Sequence, residues 1–184
     1  MHSTPFLCYN TSNDTNTLIT LRPHQARALD AMQGADKGQV IVPTGGGKTF
    51  IMIQHAKQLL ETFDGYLDRP KHIVVVAPRI LLAQQLCDDF MQHLKGRVCH
   101  AHSGETHYYS TTKSAQIANF FEGCKMLSEN LITFTTYHSL HKVLDSDAPI
   151  DAIYFDEAHN SVTRQFFPKA CLLYTSDAAD DDHC

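Results

Sequence analysis

The sequence predicts a three-layer α/β domain built on a mainly parallel sheet. Three observations lead there: short apolar runs alternate with helical patterns from Leu18 onward, the runs are apolar on both faces, and no transmembrane-length segment interrupts them. The chain has 184 residues, 43% hydrophobic and 19% charged, which suits one soluble core.

The elements follow in order. Residues 1–17 are expected to be a flexible arm, because the Asn, Ser and Thr of 8–17 compete with regular backbone pairing. Pro23 suits a first helical turn, and the apolar positions Ala26, Leu29 and Met32 carry a helix to Gly34, a natural stop. Strands are predicted at Gln39 to Val42, His72 to Ala77, Arg97 to Ala101, Leu131 to Thr135 and Ala152 to Phe155. Between them, helices are predicted from Lys48 to about Phe63, along Leu82, Leu86, Phe90 and Leu94 before Gly96, and around Ile117, Phe120 and Phe121.

The strongest chemical signal is Val42-Pro43-Thr44-Gly45-Gly46-Gly47-Lys48-Thr49, directly after one strand and opening a helix. Its glycines free the backbone to turn N–H groups toward an anion, and the helix N-terminus adds partial positive charge. Thr44, Gly45, Gly46 and Gly47 then cradle phosphates, Lys48 reaches the outer ones, and the Thr49 hydroxyl ligates the magnesium ion bridging them, which makes ATP and Mg2+ the expected ligands.

A second signal is Asp156-Glu157-Ala158-His159, emerging where the apolar run Ala152-Ile153-Tyr154-Phe155 ends. Ligands of open α/β sheets bind at that end of the strands. Asp156 is expected to hold the metal and Glu157 to orient and deprotonate the attacking water, with Lys48 the third catalytic group.

Three shorter stretches support these two. Leu21-Arg22-Pro23-His24-Gln25 precedes the phosphate loop; Arg22 and Gln25 are candidates for the nucleotide, and a Gln25 amide can both donate to and accept from an adenine edge. An exposed Gln at a helix start is the plainer alternative. At Val76-Ala77-Pro78-Arg79, a strand gives way to a helix N-terminus suited to phosphate contacts, so Pro78 and Arg79 are expected to line a nucleic-acid track. In Thr133-Phe134-Thr135-Thr136-Tyr137-His138, Thr135 or Thr136 is expected to touch phosphate, with a helix cap by Thr136 the alternative.

Together these stretches resemble a superfamily 2 helicase of the DEAD/DEAH type, over about Leu18 to Lys169. The Pro-Thr-Gly-Gly-Gly-Lys-Thr loop and the upstream Gln resemble the group that includes type III restriction subunits and phage or repair DNA helicases. The resemblance implies a RecA-like P-loop NTPase domain spanning 18–170, an ATP-dependent helicase or translocase with DNA favoured over RNA, and a coupling role for His159. It also implies a second RecA-like domain carrying arginine fingers. No Thr-Ala-Thr motif or second domain follows Ala170, so the chain is expected to bind nucleotide weakly and turn it over negligibly. A restriction-complex motor subunit and a nucleotide-dependent binding module without motor activity are the alternatives. Residues 171–184, beginning Cys171-Leu172-Leu173-Tyr174-Thr175-Ser176, resemble a translated transposase adapter from sequencing-library preparation and are expected not to be natural protein.

Composition excludes little else. The N-terminus lacks a signal-peptide pattern, so the protein is expected to be intracellular with no membrane partner. Six cysteines without CxxC pairs point to reduced thiols. The formal charge of -5 gives no basic footprint, although four acids lie in the last eight residues. Cys99-His100-Ala101-His102 and nearby His107 invite a metal reading, but strand alternation puts His100 and His102 on the face opposite Cys99, so no metal beyond magnesium is expected.

Overall fold

A computed structural model describes residues 21–33, 35–62 and 69–158, together with the backbone of 173–176. The elements run α1 (Pro23–Gln33), β1 (Gly38–Ile41), α2 (Lys48–Glu61), β2 (His72–Ala77), α3 (Ile80–Met91), β3 (Arg97–Ala101), β4 (Tyr109–Ser110), α4 (Ser114–Leu127), β5 (Leu131–Thr136), α5 (Leu140–Leu144), β6 (Ala152–Phe155) and β7 (Leu173–Ser176). The expected arm at 1–17, the Gly34 helix stop, His159 and most of the 171–184 tail lie outside the described residues.

The strands form one sheet in the order β1-β7-β6-β2-β5-β3-β4, and every pairing is parallel. β2 and β5 are buried at every position, as strands covered by helices on both faces are. Alternation along β2 sorts the core into two layers. Ile73, Val75 and Ala77 pack with Leu29, Ile51, Ala56, Ala83 and Phe90 of α1, α2 and α3. Val74 and Val76 pack with Ile117, Phe121, Leu140 and Val143 of α4 and α5. Enclosing a large apolar side chain such as Phe90 or Phe121 contributes roughly 1.5–3 kcal/mol, so each layer holds its helices firmly.

β1 departs from the expectation of burial on both faces. It is an edge strand among the described residues, and Ile41 is 59% exposed. α3 also stops at Met91, three residues before Leu94, although Leu94 is buried with the same cluster. The two-residue β4 and five-residue α5 are too short to leave a periodic pattern and were not expected from sequence.

Two polar features anchor the floor of the sheet. Arg69 makes a two-pronged ion pair with Asp151 at 2.8 and 3.0 Å, and Asp151 also accepts from the His72 backbone N–H. The His72 ring is fully buried: Nδ1 lies 3.1 Å from the Pro149 carbonyl, Nε2 2.9 Å from the Thr133 hydroxyl, and the ring stacks on Phe121. Among the described residues, Cys87, Cys99 and Cys124 are buried free thiols. No described helix is long and apolar enough to cross a membrane.

Candidate functional site

Because the sheet is parallel, the carboxyl ends of β1, β2, β3, β5 and β6 open on one rim. Gln39 of β1 and Phe155 of β6 both stand level with Tyr174 of β7. The phosphate loop and the acidic turn therefore leave the sheet on the same side, one intervening strand apart, which is about 10 Å at the usual ladder spacing.

The loop after β1 is built by its glycines. Gly45 and Gly47 have φ of 75° and 85°, the left-handed region that other residues enter at a cost. Gly46 has ordinary φ but no room: a Cβ there would lie 2.8 Å from the Pro43 carbonyl and would run into the Val42 side chain. A tight turn results, with the Gly46 N–H donating to the Pro43 carbonyl at 2.8 Å. Lys48 and Thr49, both part-buried, then open α2, whose first-turn N–H groups have no side-chain cap. Thr44 and Gly45 are exposed at the tip.

α1 braces this loop from behind. Gln25 is 7% exposed rather than a solvated helix-start residue. Its Nε2 donates to the Gly46 carbonyl at 3.2 Å and its Oε1 accepts from the Arg22 backbone N–H at 3.0 Å. His24, whose role was not expected from sequence, reaches the same carbonyl with Nε2 at 2.9 Å. In this conformation the Gln25 amide is engaged at both ends within the protein, and the Arg22 side chain stands exposed beside it.

The acidic turn is held as tightly. The Asp156 N–H donates to the Val76 carbonyl at 2.9 Å, and the Asp156 carbonyl accepts from the Tyr137 hydroxyl at 2.7 Å. Glu157 follows with φ of 51°, a left-handed conformation costing a non-glycine residue about 1 kcal/mol. Tyr137, stacked on Phe155, fixes the peptide at which that conformation begins and is the second residue that sequence reasoning missed.

Along the rest of the rim, Pro78 is part-buried and Arg79 exposed, with Arg79 in the N-cap position of α3. Thr135 and Thr136 are turned inward. Thr135 is fully buried and its hydroxyl donates to the Ala101 carbonyl at 2.9 Å. The Thr136 hydroxyl accepts from the Ser139 N–H at 3.3 Å and closes the turn before α5; Ser139, not Thr136, occupies the N-cap position of that helix, which has no side-chain cap.

The sequence profile described as "Type III restriction enzyme, res subunit" matches residues 18–178, most of the chain. The chain belongs to this family. Solved structures are similar to this res-subunit domain. One is a nuclease-deletion mutant of the Type ISP restriction-modification enzyme LlaGI in complex with a DNA substrate mimic, with TM-score 0.68, 22% identity, and 89% of this chain covered against 19% of that one. The Type ISP enzyme LlaBIII bound to DNA gives 0.65, 20%, 88% and 13%. The UvsW helicase from bacteriophage T4 gives 0.56 and 14%, covering 96% of this chain and 57% of that one. At these identities the likeness establishes the RecA-like fold expected from sequence. This chain spans about a fifth or less of the two restriction enzymes it matches. No curated protein matches it.

Proposed function

We propose that this res-subunit domain is the ATP-binding lobe of a motor that moves on nucleic acid, a helicase or translocase, with DNA favoured over RNA. The observation that carries the reading is the opening of the glycine loop and the acidic turn on one rim of a parallel sheet. The fit to a magnesium triphosphate rests on the loop itself, where a Cβ at Gly46 would fill the turn. Thr49 and Asp156 are the oxygen donors a hard cation takes, and would hold magnesium. That ion would neutralise charge on the outer phosphates, and the chain's own residues do the rest. Lys48 binds those phosphates as a point charge, while Thr44, Gly45, Gly46 and Gly47 supply the cradle around them. Glu157 orients the attacking water and accepts its proton. Arg22 would stand beside the base, with Gln25 reaching it only on leaving the Gly46 carbonyl; Pro78 and Arg79 would lie along the strand, with the buried Thr135 and Thr136 holding the turn behind them; and His159 would couple the two.

Hydrolysis is proposed to need a second lobe supplying an arginine, a part worth about a thousandfold or more in rate. Residues 18–170 are taken as the ATP-binding domain and 171–184 as adapter-derived. An intracellular setting, without a membrane partner, fits such a motor. A motor subunit of a restriction complex is the second reading, favoured by the family match and the Type ISP likenesses.

Binding of a fluorescent ATP analogue tests the site. The chain is expected to bind it weakly with magnesium, to lose at least tenfold in affinity on Lys48→Ala, and to keep binding on Glu157→Gln. Absence of binding, or binding indifferent to Lys48, contradicts the site. Brisk strand-stimulated hydrolysis by the 184-residue chain contradicts the need for a second lobe.

A further inference from the structure

The Gly46 carbonyl is held from behind by two donors, and the consequence falls on the amide that follows it. His24 Nε2 lies 2.9 Å from that oxygen and Gln25 Nε2 lies 3.2 Å from it. A carbonyl carries no proton, so His24 Nε2 is the donor in its contact. The Gly46–Gly47 peptide is trans, and across a trans peptide the C=O and the N–H point in opposite directions. Turning the Gly46 carbonyl back toward α1 therefore turns the Gly47 N–H away from α1.

That N–H is the one this turn has to offer. The Gly46 N–H is taken by the Pro43 carbonyl at 2.8 Å, whereas the Gly47 N–H donates to nothing among the described residues and stands at the N-cap of α2. Gly46 accordingly gives the proposed cradle its shape, and Gly47 gives it a donor for phosphate.

The two braces are not equivalent. Gln25 is 7% exposed, its Oε1 also accepts from the Arg22 N–H at 3.0 Å, and its amide lies so close to Gly47 that a Cβ there would come within 2.5 Å of Nε2. A base edge reaches such an amide only after the side chain swings out. The Gly46 carbonyl then keeps one donor, His24, which makes the shorter bond and rides on the first turn of α1 whether Gln25 stays or leaves.

We infer that His24 is a positioning residue for the phosphate loop, keeping the Gly46 carbonyl turned back and the Gly47 N–H turned toward the phosphates while Gln25 leaves to read the base. The inference rests on the nucleotide reading above. It makes the two side chains substitutes for one another when a ligand has phosphates but no base. When a ligand has both, His24 has no substitute.

Magnesium tripolyphosphate and MgATP separate the two cases, since only ATP carries a base. Dissociation constants are read from amide resonances of the isotope-labelled 184-residue chain, a measurement that registers weak binding. His24→Phe is expected to weaken ATP about three- to tenfold, the effect of one hydrogen bond, and tripolyphosphate about twofold or less, because Gln25 stays on the carbonyl. Gln25→Ala is expected to weaken ATP more than tripolyphosphate. Removing both side chains is expected to weaken tripolyphosphate about tenfold, well beyond the two single losses combined. His24→Gln, whose amide nitrogen lies as many bonds from the backbone as His Nε2, is expected to restore ATP affinity. His24→Ala gives the same comparison at this half-buried position without the bulk of a phenyl ring. Equal losses of the two ligands in the His24 variants, as a general loosening of the loop produces, overturn the inference and leave the phosphate site standing. So do an undiminished ATP affinity, additive losses in the double variant, or no recovery with glutamine. If the unaltered chain binds neither ligand, the nucleotide reading falls and the role of His24 with it.

Discussion

Gly46 and Gln25 show how the site is assembled from single residues whose reasons differ. The glycine loop was legible because it is local: eight consecutive residues carry the whole geometric requirement. The bracing of Gly46 by His24 and Gln25 was not, because it joins residues 22 and 21 positions apart, and a short Arg-Pro-His-Gln stretch does not announce what its side chains will meet. Thr135 escaped for a related reason. Its position at the end of a strand was legible, but its enclosure depends on β2 and β3 flanking β5. A Gly46→Ala substitution tests the fit of the turn. The added methyl meets the Pro43 carbonyl and the Val42 side chain, so the loop must open. The expected result is loss of nucleotide binding with a fall in stability of about 1–3 kcal/mol, seen by calorimetry. Unchanged ATP affinity in that variant means that the turn is not the phosphate cradle.

At the scale of elements, β2, β3 and β6 fall where the apolar runs placed them, because a strand buried on both faces writes its limits into composition. α5 and β4 fall below the length at which periodicity can register. β2 also carries a pH response. Burial is the main cause of the His72 ring's depression to about 4; its Pro149 bond and Asp151 raise it, and Arg69 lowers it. A group whose folded value lies below its unfolded value of 6.5 contributes stability above pH 6.5, and that contribution is lost as pH falls toward 4. The loss amounts to roughly 3 kcal/mol, and His100, also pushed down to about 4, adds in the same direction. Urea unfolding from pH 7 to pH 4 is expected to show the decline, and His72→Phe to flatten it while losing about 1–3 kcal/mol at neutral pH from the unpaired Thr133 and Pro149 groups. A parallel decline in the variant would place the acid sensitivity elsewhere.

For the whole molecule, three layers and a parallel sheet were legible from alternation alone, but the strand order was not. Residues 173–176, proposed above to be adapter-derived, fill the slot between β1 and β6 and pair with both, and the family match runs through them to 178. Pairing of this kind depends on backbone groups, which a sequence pattern does not display. Thr175→Pro removes an N–H from an interior strand and introduces a ring that the ladder does not accommodate. The expected effect is a loss of at least about 1 kcal/mol and a weaker hold on ATP. A variant with unchanged melting and unchanged nucleotide affinity shows that β1 stays in place without β7.

Placing β7 between β1 and β6 has a mechanical consequence. It acts as a shim: its width sets the spacing of the strand ends that lead to Lys48 and Asp156, the two groups proposed to share one triphosphate. Any segment occupying that slot calibrates the jaws of the site without touching what they hold.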